Sequence, residues 1–451
     1  MLPCIVALGF GLALGQAADP TQDRVAKGVA AELPSLVSLY KHFHANPELS
    51  FMEVETAKRL AAELRDAGLT VSTGIGGHVL AGVLQNGDGS VARLGAGEPD
   101  FDTPEAIKRA AHRAIDEGYT HYTAVDGYPA LKQAVRDKFR RDNDLAFDSD
   151  EILVSCGAKQ ALYNICQTLL QPGDEALVPR PYWVTYPAQV MLAGADPVYV
   201  DAPAEEGYTL TAERLQAAIT ARTRLVFLNS PNNPTGRVYR DSELADIADL
   251  LRQHSRLCIV SDEIYEHLNW GPTPFRNLLN VAPDLAERCF VVNGVSKAYA
   301  MTGWRVGFVG GPAEVIARMK KVQGQSTAGT ASISQHAAHA ALSGDQRPVR
   351  EMVREYKRRH DHIVPALNAL KGIECPVSDG TFYAFADARA LIGRRTDLQD
   401  DQQLAERLLH EAGVAVVPGS GFGAPGRLRI SFAASRETID TGLQRLRRFI
   451  G

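Results

Sequence analysis

From residue 90 onward, short apolar runs of strand length alternate with longer helical stretches, and this alternation restricts the fold more than any other feature. Runs at 152–155, 175–178, 197–200, 225–229, 257–261 and 289–292 read as strands, and 159–170 and 244–254 carry helical periodicity. Strands buried on both faces with helices between them predict a mainly parallel α/β sheet covered by helices on both sides. In such a sheet, ligands sit beyond the carboxyl ends of the strands, so the residues that follow each run are the candidates for chemistry. At 451 residues, 45% hydrophobic and 22% charged, the chain is long enough for two or three domains with sizeable cores and is not of disordered composition.

Four strand ends carry reactive or anion-binding groups. The run 152–155 leads through Cys156 and Gly157 into Ala158, Lys159 and a helix. Small residues there let backbone N–H groups approach an anion such as a phosphate, although the same residues also suit a tightly packed turn. The run 225–229 enters Ser230-Pro231-Asn232-Asn233-Pro234-Thr235-Gly236, where prolines stiffen the backbone around Asn233, an amide donor. The run 257–261 delivers Asp262, with the phenol of Tyr265 three residues on. Asp after a strand also serves as a helix cap. The run 289–292 leads to Lys297 in Asn293-Gly294-Val295-Ser296-Lys297, and Arg305 follows eight residues later. A lysine amine forms an imine only when unprotonated, which desolvation or nearby cations promote. Each feature alone has a bland explanation. Together they supply an amine, a carboxylate, phenol and amide donors and a phosphate cradle, the set that pyridoxal 5'-phosphate requires.

The motifs Ser-Pro-Asn-Asn-Pro-Thr-Gly (230–236), Ser-Asp-Glu-Ile-Tyr (261–265) and Ser-Lys-Ala-Tyr-Ala-Met-Thr-Gly-Trp-Arg-Val-Gly (296–307) resemble those of class I, fold-type I aminotransferases, closest to the bacterial aspartate aminotransferase subgroup. The resemblance runs from Leu94 to the C-terminus, about four fifths of the chain. It implies a large cofactor domain, 90–340, built on a mainly parallel seven-stranded sheet and including part of the small domain at its start, and a smaller α+β domain, 341–451. It implies Lys297 as the imine-forming lysine and proton shuttle, Asp262 as partner of the cofactor's ring nitrogen, and Asn233 and Tyr265 at its phenolic oxygen. Ala158, Lys159 and Arg305 would hold the phosphate, and Trp183 would stack on the ring. Gly97 and Arg429 would hold the substrate α-carboxylate. Arg427 lies two residues from Arg429 in the same strand pattern, so the choice of Arg429 rests on the resemblance and not on spacing. Tyr122 would reach the phosphate of a second subunit, which implies a homodimer. The implied reaction is amino transfer from an L-amino acid to a 2-oxo acid, with aspartate and 2-oxoglutarate first; aromatic or alanine-type donors and prephenate as acceptor are alternatives.

The residues before 90 have a different character. Residues 1–18 resemble a leader, with an apolar run at 5–14 followed by small residues. Residues 19–89 form a separate segment, in which Leu39-Tyr40-Lys41-His42-Phe43-His44-Ala45-Asn46-Pro47-Glu48-Leu49-Ser50-Phe51 runs into an expected amphipathic helix over 53–67 and then Thr73-Gly74-Ile75-Gly76-Gly77; over 33–89 this resembles the start of a zinc amidohydrolase of the hippurate-hydrolase and aminoacylase kind. No metal-ligand pattern follows it, and His42 and His44 read as ordinary surface or core histidines, so no metal is expected. In the aminotransferase family this region supplies an arm across the dimer and a helix that closes over the substrate; here the amidohydrolase-like fragment would replace them, leaving dimer strength and lid closure open. Lys plus Arg number 48 against 53 Asp plus Glu, which disfavours a nucleic-acid partner or a polybasic membrane anchor. Six scattered cysteines without a paired spacing suggest reduced thiols and a cytoplasmic location, against which the leader-like start suggests export. The rival readings are a metal-dependent amidohydrolase, a cofactor-binding regulator, which would need a helix-turn-helix that is not visible, and a cofactor-binding but inactive fusion.

Overall fold

The computed structural model describes residues 20–46, 54–66, 70–75, 79–83 and 91–451; the leader-like stretch 1–18 lies outside these residues. The chain separates into two units, 1–90 and 91–451. In the first, helices Pro20–Ala45 and Val54–Asp66 precede an antiparallel pair, Thr70–Ile75 with Val79–Val83. The second helix falls where the sequence predicts one, over 53–67. His42 and His44 are exposed on the first helix.

The second unit is built on a seven-stranded sheet in the order 152–155, 307–310, 289–294, 258–262, 223–229, 175–180, 196–201. Strand Gly307–Gly310 runs antiparallel to both its neighbours, and the other adjacent pairs are parallel. The expected mainly parallel sheet is present, with one reversed strand that the apolar pattern did not separate from the preceding motif. Residues 295–306 hold only a short turn, Thr302–Trp304, and no crossover helix, so the chain turns back beside the strand it has just left. As a result Lys297, leaving one strand, and Arg305, entering the next, emerge at the same end of the sheet. Register completes the arrangement, since Asn229 lies opposite Asp262, Asp262 opposite Val292, Gly294 opposite Gly307, and Gly307 opposite Ser155.

Successive residues of each strand enter different cores. Leu153, Phe227, Val260, Phe290 and Val292 pack into one cluster, and Ile152, Val154, Val226, Ile259 and Val291 into another. Both faces are therefore dry, which accounts for strands that read as continuous apolar runs. Beyond the sheet, Arg347–Asn368 is followed by a three-stranded antiparallel sheet in the order 383–387, 427–431, 417–418 and by the terminal helix Arg436–Ile450. Ala92–Arg93 pairs in parallel with Val414–Ala415, so the start of this unit joins its C-terminal region. Cys156, Cys166, Cys258, Cys289 and Cys375 are free thiols.

Candidate active site

A cavity of about 540 Å³ opens beyond the carboxyl ends of the central strands. Gly97, Ala158, Lys159, Trp183, Asn233, Asp262, Tyr265, Lys297, Arg305 and Arg429 all line it. Of the residues that the resemblance assigns to the site, Tyr122 alone is absent from the lining; it is 99% exposed.

The Lys297 amine donates to the Gly97 carbonyl and lies 5.6 Å from the centroid of the Tyr265 ring. Burial, with Arg429 and then Arg305 nearby, lowers its pKa to about 8, against the opposing pull of Glu98 and Asp262. At pH 7 roughly a tenth of the amine is then unprotonated, far more than for an ordinary lysine, and the unprotonated form is the one that attacks a carbonyl or abstracts a proton. Asp262 is 2% exposed; its carboxylate accepts from the Tyr186 hydroxyl at 2.6 Å and from the Ile264 N–H at 3.3 Å. Burial raises its pKa to about 6 despite those donors and the Lys297 charge. A carboxylate held in this state is stabilised by any cation brought against it, and a protonated ring nitrogen is such a cation.

Asn229, ending its strand, donates to the Asp262 carbonyl at 3.0 Å and accepts from the Asn233 N–H at 2.9 Å. It thereby fixes the proline-bounded turn against the neighbouring strand. The Asn233 side-chain oxygen accepts from Arg429 at 3.0 Å, which leaves its Nδ2 as the donor end. Arg429 is 7% exposed and also donates to the Gly95 carbonyl at 3.0 Å. Its Nε is buried without a partner, and no carboxylate pairs with it among the described residues. Arg427, by contrast, pairs with Asp387 at 3.6 Å and does not line the cavity. Arg429 is thus a desolvated guanidinium without a counter-charge, the state in which an arginine is able to take a carboxylate.

At the other end of the cavity, helix Ala158–Leu169 begins at Gly157 (φ +81°) with no side-chain cap. The Gln160 N–H donates to the Gly157 carbonyl at 3.0 Å, which leaves the Ala158 and Lys159 N–H groups to face an anion. A Cβ at Gly157 would collide with the Arg305 guanidinium, so glycine there admits both the positive φ and the close approach of Arg305. Arg305 is held by the Thr302 carbonyl at 2.8 Å and the Cys156 carbonyl at 3.3 Å. Lys159 is exposed, its amine 4.9 Å from the centroid of the half-buried Trp183 ring.

The sequence reading missed Tyr186 and Tyr383. Tyr186 follows Trp183 by three residues on helix Thr185–Leu192, a spacing that brings it to the same side as Trp183. Tyr383 comes from a distant strand, and its hydroxyl lies 2.8 Å from that of Tyr265.

Behind the cavity, Glu263 and Glu266 enter a buried cluster with Lys138, which pairs with Glu266. One lysine faces two acids, and burial with the Glu266 charge raises Glu263 to about 8, whereas Lys138 holds Glu266 below its usual range despite burial. In the unfolded chain Glu263 releases its proton near 4.5; between that pH and about 8 the folded state alone retains it, so stability falls as pH rises through this window. Asp262 acts in the same sense only up to about 6. Glu263→Gln is therefore expected to flatten the decline of the thermal midpoint between about pH 6 and 8, measured by circular dichroism. An unchanged slope would remove this assignment. The group of possible metal ligands among the described residues, Asp142, Glu266 and His267, borders this cluster and already has the Lys138 ammonium beside it.

The aspartate aminotransferase of Rhizobium meliloti matches this structure with a TM-score of 0.78 at 41% identity, over 90% of this chain and 97% of its own. The architecture is thus that of the fold-type I aminotransferases. Residues 90–446 match the family described as aminotransferase class I and II. Aspartate/prephenate aminotransferases of Cereibacter sphaeroides and Nitrosomonas europaea are 47% and 46% identical, over 80% and 79% of this chain and 91% of each relative. The chain belongs to the class I and II aminotransferases, enzymes that use pyridoxal 5'-phosphate. The likeness of 33–89 to a zinc amidohydrolase finds no support: the matches are to aminotransferases, and His42 and His44 are solvent-exposed and not gathered with other ligands among the described residues.

Proposed function

We propose that the chain binds pyridoxal 5'-phosphate through Lys297 and transfers the amino group of an L-amino acid, L-aspartate first, to a 2-oxo acid such as 2-oxoglutarate. The observation that carries this reading is one cavity holding a lysine amine lowered to about 8, a buried carboxylate and a buried arginine without a counter-charge. Aspartate is favoured because the relatives are named for it, and their names also put prephenate forward as an acceptor.

When bound, the cofactor supplies an electron-deficient ring that takes up the electron pair left as the substrate α-carbon loses its proton. The protein's own residues do the rest. Lys297 takes that proton and returns it, which its near-neutral pKa suits. Asp262, steadied by Tyr186, keeps the ring nitrogen protonated. Asn233 and Tyr265 hold the phenolic oxygen, Trp183 covers the ring, and the helix start at Ala158 with Lys159 and Arg305 holds the phosphate. Arg429 clamps the substrate α-carboxylate beside Gly97. The exposure of Tyr122 suits a contact with the phosphate of a second copy, hence a homodimer. Residues 90–340 would form the large domain, joined at its start to a small domain, 341–451. No helix among the described residues is long and apolar enough to cross a membrane, and we place the catalytic unit in the cytoplasm.

The test is the purified protein with added cofactor. A visible absorption band and oxaloacetate from aspartate plus 2-oxoglutarate are expected; a colourless protein, or colour without amino transfer to any 2-oxo acid, overturns the reading. Arg429→Leu is expected to lower kcat/KM for aspartate roughly a hundredfold, since removing one partner of a desolvated ion pair costs about 3 kcal/mol.

A further inference from the structure

Tyr383 meets both Tyr265 and Arg429 in the cavity, yet it comes from the small antiparallel sheet. It is 1% exposed. Its strand pairs with the one that carries Arg429, Phe385 opposite Arg429 and Tyr383 opposite Ser431. Three contacts define its position. Its hydroxyl lies 2.8 Å from the Tyr265 hydroxyl. The Arg429 guanidinium sits over its ring, 4.3 Å from the centroid. A Cβ at Gly97, whose carbonyl accepts from Lys297, would stand 3.2 Å from the same hydroxyl, so that residue has no room for a side chain without displacing it.

We propose that Tyr383 is a positioning residue for both halves of the site: its hydroxyl orients Tyr265 toward the cofactor, and its ring holds Arg429 flat for the substrate carboxylate. This rests on the function proposed above. A phenol that donates to the cofactor's phenolic oxygen has its own lone pairs left to accept, and the Tyr383 hydroxyl is the donor within reach. Accepting that bond strengthens Tyr265 as a donor, because hydrogen bonds in series polarise one another. Tyr265 in turn draws charge from the phenolic oxygen, which lowers the affinity of the neighbouring Lys297 nitrogen for its proton. The face of the ring meanwhile stabilises the buried guanidinium and fixes its plane, and a planar fork must be correctly tilted to meet a carboxylate with two bonds.

Two variants separate the two roles. Tyr383→Phe keeps the ring and deletes the hydroxyl. The pH titration of its visible band is expected to move up by about half a unit, the loss of less than one ordinary hydrogen bond, with KM for aspartate within about twofold of wild type. Tyr383→Leu removes the ring as well, and its KM for aspartate is expected to rise about tenfold while kcat changes far less, as a lost cation–π contact worth somewhat over 1 kcal/mol dictates. A Phe variant whose band titrates as wild type, or a folded Leu variant whose KM stays within about twofold, overturns the two-sided role. The Phe variant preserves core volume and decides the hydroxyl's part even if the Leu variant fails to fold. A wild-type protein without a visible band refutes the underlying function instead, so the two failures are distinguishable.

Discussion

Lys297→Ala is expected to abolish the visible band and to lower kcat by at least about 10⁴-fold, the upper range of what a single positioned acid–base group contributes. The substitution removes both the covalent anchor and the base, and no other amine lines the cavity except that of Lys159. Lys159 is exposed, with its amine over the Trp183 ring, and it lies on the phosphate side with Arg305 in the proposed arrangement, so it is not expected to substitute. Lys297 stands behind a fully buried strand and is followed by a compact turn, so truncation should leave the fold intact; an unchanged thermal midpoint of the cofactor-free protein checks this. Residual turnover above about a hundredth of wild type would mean that the base lies elsewhere.

The second large effect is expected at Asp262. Asp262→Asn keeps the shape and the contact with Tyr186 but removes the negative charge. An ion pair at contact distance is worth roughly 4–5 kcal/mol at the effective dielectric of a protein site, so kcat should fall by about 10³-fold or more. The loss should appear in kcat and in single-turnover rates far more than in KM, because the charge acts on the electron sink and not on the substrate carboxylate. Tyr186→Phe should show a smaller loss of the same kind, since it withdraws one hydrogen bond and leaves the charge. A fall of less than about tenfold in Asp262→Asn would show that this carboxylate does not face the ring nitrogen.

Most of the groups at the cavity were legible before any coordinates because they lie in short contiguous motifs, each attached to a strand end. The segment 261–265 is one example: an apolar run predicts where the strand ends, and the next residue must emerge at the sheet's carboxyl edge. The same motif shows the limit of that reasoning. Asp262 and Glu263 are adjacent acids, both buried, and only the packing puts one into the cavity and the other beside Glu266 and Lys138. Arg427 and Arg429 are a second case. Their spacing does not distinguish them, and only the fold shows Asp387 neutralising Arg427 while Arg429 faces the cavity without a carboxylate partner among the described residues.

By itself, the sequence determined a helix-covered parallel sheet, the strand ends that hold the amine, the acid and the anion cradle, and the family these motifs belong to. These are consequences of local periodicity and of side chains a few residues apart. Tertiary structure alone decided the reversed strand Gly307–Gly310, which brings Arg305 beside the helix start at Ala158, and the arrival of Tyr383 at Tyr265 from 118 residues away. Such pairings depend on sheet order, register and the burial of both faces, which are set by the folded chain as a whole and leave no periodic trace in either partner's surrounding residues.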